Sequence, residues 1–223
     1  MISIGNDIVD LNAINKQRTA DTRFYSKFIT PAEIELHDPA IATLPLQSFV
    51  WLLWSVKEAV YKYQKRLNPQ LVFAPIKIVV KQITVPALYN AAQFNSDSWE
   101  GSPNHNDFCF GCATGNGQTL FFKTIIHQYY IATIVSNNSL FPHVYWGVQR
   151  IANGGHQHQS QLVRTFLLNK LSSVFIKQDL ALQKSPVGYP VLLVNNIEAC
   201  MPISLAHHGL FTSYCFQLNL QGL

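Results

Sequence analysis

The stretch 46–63, LQSFVWLLWSVKEAVYKY, constrains this chain more than any other part of it. Phe49, Leu52, Leu53, Val56 and Val60 recur at three- and four-residue spacing, while Lys57, Glu58, Lys62 and Lys65 fall between or just beyond them. That period predicts a long amphipathic helix, whose apolar stripe must be covered by another element. Strand-like runs can supply the cover: 2–9 (ISIGNDIV), 76–80, 108–112, 120–135 with a polar interruption, 191–194 and 214–220. Gly115-Asn116-Gly117 separates two of these runs, as a hairpin requires. The expected class is α+β.

Further signals divide the chain. Thr30-Pro31-Ala32-Glu33 reads as a helix start, with Thr30 as cap, Pro31 at the first position and Glu33 closing a capping box. Residues 90–107 are polar, rich in Asn and Ser, and are expected to be a surface excursion. The SNN and NGGHQHQSQ stretches within 136–160 mark a junction, with His156 and His158 in a solvated linker and a second helix over about 159–175. The run Thr124-x-x-His127 before YYIATIV resembles Ser204-x-x-His207 before GLFTSYCF. This hint of duplication predicts two similar α/β halves, 1–137 and 138–223. Each would be a helix on a small antiparallel sheet, and the two would form a pseudo-dimer with a cleft between them.

Composition removes several function classes. A chain of 223 residues with 48% apolar and 13% charged residues is globular rather than disordered. No apolar run is long enough for a membrane span, and MISIGNDIVD carries acid where a signal peptide carries base, so a cytoplasmic protein is expected. Four cysteines make no disulfide framework in a chain this long. A net charge of +4 suits an acidic partner or a phosphate-rich ligand, and without dense Lys/Arg clusters no nucleic-acid partner is expected.

Two groups of residues could carry chemistry. Asp7 and Asp10 close the opening strand, and Glu58 lies on the long helix between Lys57 and Lys62. Carboxylates brought together from strand and helix would make the hard-oxygen site that Mg²⁺ prefers, leaving open positions for phosphate oxygens. The competing reading of KEAVYK is a solvated helix face with ordinary charge pairing. The second group is Ser204, His207 and His208, preceded by Gly188-Tyr189-Pro190. A histidine beside a hydroxyl can bind phosphate or move a proton, or these can be plain surface or core histidines. Cys109-x-x-Cys112 between phenylalanines reads as strand core, with a thiol or metal role as the minor alternative.

The order of motifs sharpens this. Gly5-Asn6-Asp7-Ile8-Val9-Asp10, then Arg23-Phe24 to Thr30-Pro31-Ala32-Glu33, then Lys57-Glu58-Ala59-Val60-Tyr61-Lys62 resembles the phosphopantetheinyl transferase superfamily, in particular holo-acyl-carrier-protein synthase. The likeness covers about 1–65 well and 120–135 loosely. Gly188-x-Pro190 and Ser204-x-x-His207 resemble the family's coenzyme A-binding motifs. The length is similar to that of the two-half members, such as the enzyme that activates surfactin synthetase, but with the halves in reverse order.

The resemblance implies transfer of phosphopantetheine from coenzyme A to a serine of an apo acyl or peptidyl carrier protein. Asp7 and Glu58 would hold Mg²⁺, Lys57 and Lys62 would stabilise phosphate charge, and Gly188, Tyr189, Pro190, Ser204 and His207 would hold coenzyme A. His207 is favoured over His127 because Gly188-x-Pro190 accompanies it. Small synthases build their site between subunits, and a fused second half would let this chain act as a monomer. Lys16, Arg18, Arg23 and Lys27 are candidates for docking an acidic carrier, and Arg164 and Lys170 for phosphate contacts. Asn6, Asp10, Tyr189 and Ala206 depart from the family pattern. Their departure keeps open a catalytically impaired protein that only binds coenzyme A or a carrier.

Overall fold

The computed structural model describes residues 3–37, 41, 43–103 and 107–218. It opens with β1 (Gly5–Asp10), passes through three single-turn helices, α1 (Lys16–Thr19), α2 (Thr22–Tyr25) and α3 (Pro31–Ile34), and enters α4 (Leu46–Leu67). Strands β2 (Val79–Thr84), β3 (Ser98–Gly101), β4 (Cys109–Gly115), β5 (Gln118–Ile126), β6 (Tyr130–Ser136) and β7 (Val144–Arg150) follow. Helix α5 (His156–Ser172) leads into β8 (Leu180–Lys184), β9 (Pro190–Val194), β10 (Ile197–Glu198), β11 (Ile203–His208) and β12 (Phe211–Gln217). Ile2 of the first expected strand, and Asn219 and Leu220 of the last, lie outside the described residues.

The class is α+β, with antiparallel sheets in the orders β1-β6-β5-β4-β2, β11-β12-β7-β3 and β10-β9-β8. Helix α4 covers one face of the first sheet. Phe49, Leu52, Leu53, Val56 and Val60 are wholly buried there, against Val80, Leu120, Phe122, Ile131 and Val135. Each such side chain contributes about 1.5–3 kcal/mol when fully removed from water. The backbones of α4 and β1 almost touch: a Cβ on Gly5 would stand 2.0 Å from the Ala59 carbonyl oxygen. The expected hairpin joins β4 to β5 through Asn116 and Gly117, with φ of 49° and 73°, the two positive values that a two-residue turn of matching twist needs.

Three expectations change. The capping box is present, Thr30 Oγ1 accepting from Glu33 N and Glu33 Oε2 accepting from Thr30 N, but α3 lasts only four residues. The Glu33 carboxylate is drawn into the core instead of running along a solvated helix. The expected surface excursion contains β3, which pairs with β7 in the second sheet, and Phe94, Trp99 and Phe108 pack around Trp146. Its part at 104–106 lies outside the described residues. The expected junction contains β7, held between β12 and β3. Residues 98–101 therefore belong to a sheet built mainly from the later chain.

The order strand, helix, hairpin occurs twice. Strand β6 returns from the β5–β6 hairpin to pair with β1, and β12 returns from β11–β12 to pair with β7. The two sheets meet along β1, whose free edge is covered by side chains rather than by another strand. Asn6 N donates to Ser204 Oγ at 3.1 Å, and Asp10 N donates to His208 Nδ1 at 2.9 Å. Asn6 Nδ2 adds a donation to Ser213 Oγ, which also accepts from Trp146 Nε1. A polar residue stands at position 6 because it ties the two sheets together.

Candidate active site

Alternation along β1 decides which side chains meet α4. Gly5 and Val9 pack against the helix, so Asp7 between them points the same way. Lys62 Nζ donates to Asp7 Oδ1 at 3.0 Å, with both side chains largely buried. Glu58, four residues before Lys62, shares its side of the helix. Burial pushes the Glu58 carboxyl above its ordinary value, Lys62 opposes this, and the negative charge of Asp7 adds to it. Glu58 has no hydrogen bond or ion pair among the described residues. Two carboxylates thus share one ammonium, and the remaining negative charge calls for a proton or a cation.

Next to Lys62 lies a cavity of ≈ 290 Å³ between α4, the 187–190 loop and the start of β11. Its walls include Tyr61, Lys65, Arg66, Gly188, Tyr189, Pro190 and Ser204. Gly188 takes a φ of +96°, a conformation that side-chain-bearing residues rarely adopt, and so lets the loop turn. Arg66 was not among the residues singled out from sequence. It donates to the carbonyls of Pro190 (2.6 Å) and Ile203 (2.9 Å), and its guanidinium lies over Tyr189, 4.6 Å from the ring centre. Arg66, one helical turn beyond Lys62, thus places a cation beside Tyr189. The signal was visible as the next basic residue on that face of the helix.

His207 lies on β11 beyond Ser204, its ring edge-on to His156 at 5.1 Å. Burial pulls it below the ordinary histidine value, with His156, Lys62 and His208 adding to this and Asp7 opposing. Asp7, Lys62 and His207 therefore lie within one another's electrostatic reach. His156 is the first residue of α5 rather than part of a linker, and it joins this group. His127 does not: it lines a different cavity.

Other assignments are corrected. Lys57 does not face the cleft. It is wholly buried, 2.7 Å from Glu33 Oε1, and donates to the carbonyls of Pro75 and Ile78, so its ammonium has no direction left for a phosphate. Burial lowers its pKa, with Glu33 opposing. Asp10 accepts from Asn12 N and Leu210 N, both at 2.8 Å, which fixes the β11–β12 turn and leaves no oxygen turned to the site. Arg164 donates to the Leu182 carbonyl and, like Lys170, is absent from the cavity wall. Cys109 is a buried thiol pushed up to about 12 by its burial, unsuited to thiolate chemistry, and no disulfide links it to Cys112.

Among the described residues no group of three or more His, Cys, Asp and Glu is arranged to hold a metal ion. Asp7 and Glu58 form a two-carboxylate set, the number of protein oxygens with which Mg²⁺ is commonly bound when phosphates complete its shell. No helix among the described residues is long and apolar enough to cross a membrane.

Residues 3–113 match the family model of the 4′-phosphopantetheinyl transferase superfamily. The chain belongs to this superfamily. The matched segment holds Asp7, Glu58, Lys62 and Arg66 of this phosphopantetheinyl transferase-superfamily protein, whereas the 187–190 loop, Ser204 and His207 lie beyond it. No individual curated protein matches the sequence.

Proposed function

We propose that the protein transfers the 4′-phosphopantetheine moiety of coenzyme A to a serine of an apo acyl or peptidyl carrier protein, with Mg²⁺, releasing adenosine 3′,5′-bisphosphate. The observation that carries this reading is the grouping of Asp7 and Glu58 about Lys62, which itself lines a cavity walled by Arg66, Tyr189, Pro190 and Ser204.

The donor set fits the metal. Asp7 and Glu58 would hold Mg²⁺, which when bound neutralises charge on the diphosphate of coenzyme A. Lys62 stabilises negative charge on the leaving phosphate. The nucleotide end rests in the cavity, where Arg66, Lys65 and Lys62 give a positive wall and Tyr189 an aromatic one. His207, kept neutral by its surroundings, offers hydrogen bonds rather than charge. The carrier serine Oγ forms a bond to the β-phosphorus as the bond from that phosphorus to the bridging oxygen breaks. The electron pair leaves with adenosine 3′,5′-bisphosphate. The serine proton passes to a general base, for which Glu58 is the candidate beside Lys62 and Asp7.

The repeated strand–helix–hairpin order supports two fused halves, 1–137 giving Asp7, Glu58 and Lys62, and 138–223 giving Ser204, His207 and the glycine loop. Such a chain completes its site as a monomer, in the cytoplasm where carrier proteins are made. Incubation with coenzyme A, Mg²⁺ and an apo carrier protein, followed by intact mass measurement of the carrier, tests the reading. A gain of one phosphopantetheine supports it. Coenzyme A binding with no gain would point to a protein that binds without transfer.

A further inference from the structure

We infer that Arg66 is a positioning residue for the nucleotide cavity: it holds the 187–190 loop and the start of β11 against α4, so that the Tyr189 ring stands as a fixed wall of that cavity. Arg66 acts through Tyr189 rather than as one more positive charge. The identity of the nucleotide rests on the transfer reading, and the role of Arg66 rests on the geometry.

The first observation is what Arg66 joins. Its Nη2 donates to the carbonyl of Pro190, where β9 begins, and to that of Ile203, where β11 begins. Among the described residues these strands belong to different sheets and do not pair with each other. One planar group on α4 therefore ties down the ends of two strands that lie 124 and 137 positions further along the chain. The loop before β9 has little else to hold it there. It closes on itself, Ser185 N donating to Tyr189 O at 2.8 Å and Gly188 N to Ser185 O at 2.9 Å. No other side chain among the described residues hydrogen-bonds to 185–190, and Ser185 Oγ is buried without a partner.

The second is the aromatic contact. The guanidinium lies over the Tyr189 ring, 4.6 Å from its centre, and so covers one face of it. Arg66 is half-buried, and partial loss of water strengthens the attraction between a cation and a ring. With one face covered and the loop pinned at Pro190, the Tyr189 ring is set in place before any ligand arrives. A wall that is already ordered spares the ligand the entropy of ordering it, and affinity rises accordingly.

The third is that charge alone does not require an arginine here. Lys62 and Lys65 line the same cavity. Lys62 is paired with Asp7, and Lys65 donates to the carbonyls of Pro69 and Leu71 at 2.7 and 2.9 Å. A lysine at position 66 would keep the positive charge of the wall. It would lack the planar fork that meets two carbonyls from one nitrogen while covering an aromatic face.

Calorimetric titration of adenosine 3′,5′-bisphosphate into the intact wild type, Arg66→Lys, Tyr189→Ala and the double variant tests this, with urea midpoints and the KM and kcat for coenzyme A measured alongside. Arg66→Lys should weaken binding about tenfold although the charge is kept. It should raise the KM for coenzyme A by a similar factor and leave kcat within about twofold. Tyr189→Ala should weaken binding to a similar degree, and the double variant should lose no more than the weaker single one, because both changes remove one contact. Wild-type affinity in Arg66→Lys would make Arg66 a wall charge and overturn the inference. So would additive losses in the double variant, or a lowered urea midpoint in Arg66→Lys with KM unchanged. A wild type that binds the bisphosphate but transfers no phosphopantetheine overturns the transfer reading alone, and the variants' affinities still decide the role of Arg66. A wild type that does not bind it overturns both.

Discussion

Lys62 Nζ lies 3.0 Å from Asp7 Oδ1, and the carboxyl of Glu58 stands beside this pair without a hydrogen-bonding partner among the described residues. One ammonium moderates two carboxylates. Lys62→Met should therefore lower kcat by about 10²–10³ if it stabilises charge in the transition state. Because Lys62 holds the Glu58 pKa down, its removal should also move the acidic limb of the kcat profile to higher pH. A profile that drops uniformly with no displaced limb would separate Lys62 from Glu58.

Lys57 is next to Glu58 in sequence but serves the fold. Lys57→Met leaves the Glu33 carboxylate and the carbonyls of Pro75 and Ile78 buried without their ammonium. Removing one member of a buried pair costs about 3–5 kcal/mol, so the urea midpoint should fall sharply. Coenzyme A affinity of the protein that remains folded should be unchanged. A weakened affinity with an unchanged urea midpoint would return Lys57 to the site.

Gly5 lets β1 and α4 touch. Gly5→Ala places a methyl 2.0 Å from the Ala59 carbonyl oxygen, against backbone that cannot rotate away. Overpacking of this kind costs about 1–3 kcal/mol. Because Glu58 is the neighbour of Ala59, the displaced helix should also carry it away from Asp7. Thermal unfolding and transfer rate should both fall, and a full rate at reduced stability would show that the spacing of the carboxylates tolerates the shift.

Acid should weaken the fold through His127 and His207. Burial is the leading cause holding both below the ordinary histidine value of 6.5. Between each folded pKa and 6.5 the unfolded chain binds more protons than the native one, so stability rises with pH across that window. The contribution is complete above 6.5 and is lost as pH falls toward the folded values. Imidazole titration by NMR should place both midpoints below 6.5, and a midpoint above it for either residue would reverse the sign for that residue.

Local signals in the sequence were legible and distant ones were not. The stripe from Phe49 to Val60, the Thr30–Glu33 capping box and the Asn116-Gly117 turn depend on neighbours within one or two turns, and each is found at the expected place. Lys57 misled because its partner Glu33 is 24 positions away. Its own position held a clue, lying four after Leu53 and three before Val60, at the edge of the buried stripe. Strand β7 sits between polar runs that read as a junction, and only its pairing with β12 and β3 reveals a strand held on both edges. The bonds from β1 to Ser204 and His208 span 198 positions, beyond any periodic signal.

The central claim is that Asp7 and Glu58 together hold a divalent cation against coenzyme A. Calorimetric titration of coenzyme A into wild type and Glu58→Gln, with and without Mg²⁺, tests it most directly. The account predicts that Mg²⁺ tightens binding by about tenfold or more in wild type, where phosphate oxygens can complete its shell, and does little in Glu58→Gln. Equal tightening in both proteins would contradict it.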